Sequence, residues 1–178
     1  MTSGNTASIF GALSIAAIST LGDFIWASLM LEHRPAYGLA HGSLLFLSIG
    51  LYLGVLARRH VAGAIGGALI GFAAAGSFYL IAPVVGRPAM FLLWFATWIA
   101  LGVLNEYLIR RKLQARAALT RGILAAAGSG IAFYLVSGIW RPFDPQGWDY
   151  LTHFGAWTVA YLPGFAALLI GKAPEQSR

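Results

Sequence analysis

The stretch IFGALSIAAISTLGDFIWASLML (residues 9–31) decides what kind of protein this is. It is long enough to cross a bilayer, which takes about 20 apolar residues as a helix. Asp23 is its only charged residue. A carboxylate at that depth costs at least a few kcal/mol unless it is paired, hydrogen-bonded or neutralised. The membrane has to be located before Asp23 can be understood.

The rest of the chain repeats the pattern. Apolar residues make up 58% of the sequence and charged residues 10%, against about 25% charged in ordinary globular proteins. Six spans follow, at residues 9–31, 39–57, 61–82, 88–109, 122–140 and 150–171. The connections are short, so successive helices are expected to be antiparallel neighbours, and residues 1–178 form one domain. The fold class expected is all-α: a polytopic membrane bundle of six transmembrane helices. Pro83 and Pro88 bracket the third connection, Pro88 suiting a first helical turn. Pro163 falls inside the sixth span, where it removes a backbone hydrogen bond and is expected to kink the helix. There is no cysteine, and the N-terminus lacks the basic region and cleavage site of a signal peptide.

Six spans place both termini on one face. That face carries Arg58, Arg59, Arg110, Arg111, Lys112, Arg116, Arg121, Lys172 and Arg178, nine of the twelve Lys and Arg residues. The other carries Arg34, Arg87 and Arg141. Basic residues hold membrane loops in the cytoplasm, so both termini are expected there. The net charge of +6 is thereby explained without a nucleic-acid partner. The Ala, Gly and Arg content suits a bacterial inner membrane.

Asp23 lies about 12 Å below the outer end of its span, whereas His41 and His153 lie only about 3–5 Å inside theirs. These depths predict no direct ion pair with either histidine. They point instead to Ser19 and Thr20, one turn away, or to the indole N–H of Trp26 or Trp98. Intramembrane acids usually face a bundle interior or water. Asp23 is therefore expected to face inward, as a packing residue or as the polar anchor of a cavity.

Gly63, Gly67 and Gly71 recur every four residues in the third span, a face nearly free of side chains that lets another backbone approach. The small residues of GILAAAGSGIAF (residues 122–133) point to the fifth span as its mate, with self-association of the chain as the alternative. Trp94 and Trp98 form a row on the fourth span, and His153, Trp157 and Tyr161 another on the sixth. Trp94, Trp98, Trp157 and Tyr161, with Asp23 and Trp26, are the candidate ligand-binding residues, either as core packing or as the lining of a lipid-sized pocket. Trp140, Trp148 and Tyr150 read as an outer aromatic belt.

Other chemistries find little support. No phosphate-binding loop and no metal motif occurs, and no cofactor is expected. Glu32, Asp144 and Asp149 share the outer rim without the spacing of an acid/base pair. One deep acid and no inverted repeat argue against an ion-coupled transporter. The loop NEYLIRRKLQARAALTR (residues 105–121) reads as a basic segment attracting anionic lipid headgroups.

The segment LVSGIWRPFDPQGWDYLTHFGAWTVAYLPGFAALLIGK (residues 135–172) resembles the end of the Insig family, small sterol-sensing proteins of the endoplasmic reticulum. The matching positions are Gly138, Trp140, Leu162, Pro163, Gly171 and Lys172, and the six-span topology also agrees. The family carries a functional acid followed by Arg after its fourth helix. Here the nearest acid is Glu106, and Arg110 and Arg111 come later. The resemblance implies a non-catalytic protein holding a sterol- or diacylglycerol-like membrane lipid in a cavity among its helices. The alternatives are a small enzyme acting on a lipid or quinone at the outer face through Asp23, His41 or His153, and a transporter subunit.

Overall fold

A computed structural model describes residues 3–29, 35–111, 113–137 and 146–170. All regular structure among them is helical: α1 (Ser3–Leu29), α2 (Pro35–Leu56), α3 (His60–Val85), α4 (Pro88–Arg110), α5 (Ala115–Val136) and α6 (Asp149–Leu169). The chain is an all-α bundle of six helices. Five are long and apolar enough to cross a membrane, and α6 is the shortest. Large apolar side chains such as Phe10, Leu44, Leu69, Phe72, Leu80 and Leu135 stand exposed on its outside. Water would not tolerate so continuous an apolar surface, whereas lipid tails cover it.

Several helices run past the predicted ends. α1 begins six residues before the expected span, and α5 begins at Ala115 rather than 122. α3 continues through Pro83 to Val85, so Pro83 is not part of the connection. Pro88 does occupy the first turn of α4. Trp140 and residues 30–34 lie outside the described residues.

Each helix packs on its neighbours in the chain, and α1 meets α6 to close the ring. The glycine face of α3 does not pack on α5, as the small residues of α5 suggested. It packs on α2. Gly63 meets Gly50 and Gly54, Gly67 meets Phe46 and Gly50, and Gly71 meets Gly42, backbone against backbone. The sign of this was in the sequence: α2 has its own glycines at 38, 42, 50 and 54, all multiples of four apart. A three-residue turn at 57–59, with Arg58 at φ 54° and Arg59 N–H bonded to the Gly54 carbonyl, brings the two faces into register. The small residues of α5 are used elsewhere. Gly122 lies against the Ile99 and Gly102 backbone of α4, and α5 also packs on α6.

Candidate functional site

α1 and α6 are joined by a ladder of polar contacts. Ser19 and Asp23, one turn apart on α1, face Tyr161, Trp157 and His153, which are spaced by four on α6. The Ser19 and Tyr161 hydroxyls are 2.9 Å apart. One turn outward, the Trp157 indole donates to Asp23 Oδ2 at 2.7 Å, and His153 Nδ1 lies 3.1 Å from the same oxygen.

The depth argument against an Asp23–His153 pair is therefore corrected. α1 ends its described part at Leu29, about 9 Å beyond Asp23. Asp149 opens α6 about 6 Å before His153. The remaining offset is spanned by the two side chains. Thr20 is not the partner either, because its hydroxyl bonds back to the Ala16 carbonyl. The indole that holds the acid is Trp157, not Trp26 or Trp98. The signal was legible as two rows of period four, one on each helix; nothing in the sequence said that the rows face each other.

On its other side Asp23 adjoins α2. Gly22 has no side chain, and the His41 ring fills the space where one would stand. Tyr37 donates to the Gly22 carbonyl at 2.9 Å and stacks on His41. Trp26 packs edge-on against Tyr37. Asp23 keeps 24% of its side chain exposed, while His153 keeps 6%. The carboxylate thus faces inward, as expected, with one oxygen engaged by α6 and part of its surface open.

The other candidate residues converge below it. Trp94 stacks on Phe133 at 4.5 Å, and Trp157 stacks on Tyr161 at 5.5 Å. Trp98 meets Tyr161 and Phe165, and Gly164 admits its indole against α6. Trp98 is 1% exposed and Tyr161 fully buried. These rings fill one another's space. Two open grooves lie elsewhere among the described residues: about 380 Å³ between α3 and α4, lined mainly by apolar side chains with Thr97, and about 580 Å³ at the start of α5.

Ser129 of α5 ties the ring cluster to α6. It accepts from the Trp94 indole at 3.0 Å and donates to the Ala160 carbonyl at 2.6 Å. Pro163, which stands inside α6, has no N–H for the carbonyl four residues back. The carbonyl deprived in this way is that of Val159, and Ser129 bonds the next one along, that of Ala160.

A second polar cluster lies at the end that carries most of the basic residues. Glu106 is fully buried. Its Oε1 lies 2.6 Å from Arg110 Nε, and Arg121 Nη1 donates to Oε2 at 3.1 Å. Asn105 donates to the Leu168 carbonyl at 2.9 Å, serving one of the last carbonyls of α6, which lack intrahelical donors. Asn105 and Glu106 therefore belong to the interior and not to the basic loop. Among the described residues no group of three metal-ligating side chains occurs.

The chain matches no protein-family model, no curated protein and no solved structure.

Proposed function

We propose that this chain is a non-catalytic integral membrane protein that holds one membrane lipid, sterol- or diacylglycerol-like, at the outer end of its bundle. The observation that carries this is Asp23, an acceptor at membrane depth with one oxygen held by α6 and a quarter of its side chain exposed. A lipid hydroxyl is the natural donor to it there, where water is scarce. The way in is the seam between α1 and α2, which meet through rings rather than backbones: His41 on Gly22 and Tyr52 on Gly11. Rings turn aside more easily than helices part. The chains of the lipid then run along exposed Leu21 and Phe24. The Insig resemblance points the same way, and the basic clusters favour cytoplasmic termini in a bacterial inner membrane.

Extraction in mild detergent followed by lipid mass spectrometry tests this. One sterol- or diacylglycerol-like lipid per chain is expected, reduced in Asp23→Leu and Trp157→Ala but not in Trp148→Ala, whose side chain is exposed. Unchanged retention in both Asp23→Leu and Trp157→Ala overturns it. The Asp23–His153 pair favours a second reading, in which His153 is a general base oriented by a carboxylate. Turnover of the bound lipid, lost in His153→Gln, would establish that reading instead.

A further inference from the structure

We propose that the start of α5 binds the phosphate of an anionic phospholipid headgroup through Arg116 and Arg121. This site is separate from Asp23 and lies at the opposite end of the bundle. It occupies the groove of about 580 Å³ lined by Gln114, Ala115, Arg116, Ala117, Thr120 and Arg121. All its charged lining is cationic.

Arg121 is the built part of the site. Its guanidinium is fixed by one nitrogen on Glu106, and a guanidinium has five N–H donors. The rest of the fork, 23% exposed at the side chain, remains for the groove. Glu106 does not repel an anion strongly. It is fully buried behind Arg121 and is also paired with Arg110, so the three groups together carry one net positive charge. Arg116 and Thr120, four apart, stand exposed on one face of the helix. Thr120 and Gln114 add neutral donors. α5 has no side-chain cap at Gln114 and no acid in its first turn, so no side chain of that turn competes with an incoming anion.

The source of the phosphate follows from what lies below. Leu119 and Ile123, exposed and four apart, continue down α5 from the groove. A phosphate above an exposed apolar strip matches a phospholipid, headgroup on the arginines and chain along the strip. A free phosphate would use only the upper half.

The test compares dioleoyl phosphatidylglycerol with dioleoyl phosphatidylcholine at equal mole fraction in nanodiscs, followed by native mass spectrometry of the full chain. The wild type is expected to retain phosphatidylglycerol preferentially. Arg116→Gln should weaken that retention about fivefold, the usual effect of one basic residue at a membrane surface, without changing phosphatidylcholine. Arg121→Gln alone leaves buried Glu106 with one partner, so the charge-balanced double variant Glu106→Gln, Arg121→Gln is the second arm, with the same loss expected. Trp148→Ala, exposed just before α6, should have no effect here. Equal retention of the two lipids by the wild type overturns the proposal. So does undiminished phosphatidylglycerol in both Arg116→Gln and the double variant. Displacement of the lipid by millimolar inorganic phosphate would overturn its assignment to a phospholipid.

Discussion

The α2–α3 and α1–α6 interfaces solve one problem in two ways. Between membrane helices the hydrophobic effect gives no help, because lipid tails are as apolar as leucine. What remains is close packing and hydrogen bonding. α2 and α3 use the first: glycines oppose glycines, and backbone atoms touch with no side chain between them. α1 and α6 use the second, through Ser19, Asp23 and their partners on α6. The first interface has no room for an added atom and no chemistry to offer. The second tolerates changes of shape and keeps a carboxylate in place. A functional group can live only on the second kind.

The contrast is broken most severely at Gly67. A Cβ there would meet the Phe46 carbonyl oxygen and the Gly50 backbone, which cannot move aside. Gly67→Leu is expected to cost about 3 kcal/mol or more, the upper end for overpacking, or to prevent folding. Gly155 lies in open space on α6, so Gly155→Leu should leave the thermal midpoint in detergent within a degree or two, on the order of a surface change. Equal midpoints for the two variants would mean that the glycine face is not a tight contact.

The polar interface should respond less and in a graded way. Asp23→Leu strands the Trp157 and His153 donors and should cost about 1–3 kcal/mol. Asp23→Asn keeps an acceptor and should cost less than about 1 kcal/mol. Chemical denaturation of the three proteins in one detergent ranks them; an Asn variant as unstable as the Leu variant would show that charge, and not hydrogen bonding, holds the acid. The smallest effect is expected one turn deeper. In a double-mutant cycle of Ser19→Ala and Tyr161→Phe, the coupling should be about 0.6 kcal/mol, the average for hydrogen bonds between membrane helices. A coupling of zero would remove that hydroxyl pair from the ladder.

Much of the architecture was legible because it follows from length and composition. Runs of about 20 apolar residues separated by short basic or polar connections leave few options but antiparallel spanning helices. Period four announced Gly63, Gly67 and Gly71 as a contact face, and the row His153, Trp157 and Tyr161 as a single face of α6. Asp23 announced itself by being the one acid deep in a span. Partnership was the part that stayed hidden. Periodicity says which residues share a face, but small faces on α2, α3 and α5 are interchangeable by composition, and only the short turn at 57–59 and the packing of α5 on α4 and α6 assigned them.

Depth was equally hard to read, since an error of two residues at each helix end moves a side chain by about 3 Å, enough to hide the Asp23–His153 pair. The two arginines on Glu106 come from different helices, Arg110 one turn on and Arg121 across a loop. No spacing rule connects residues across such a turn. The sequence by itself determined that this chain lies in a membrane as antiparallel helices, because burying backbone polar groups in lipid permits little else. The tertiary structure alone decided that Asp23 belongs to Trp157 and His153 and that Glu106 also belongs to Arg121, because which faces meet depends on the packing of all six helices together.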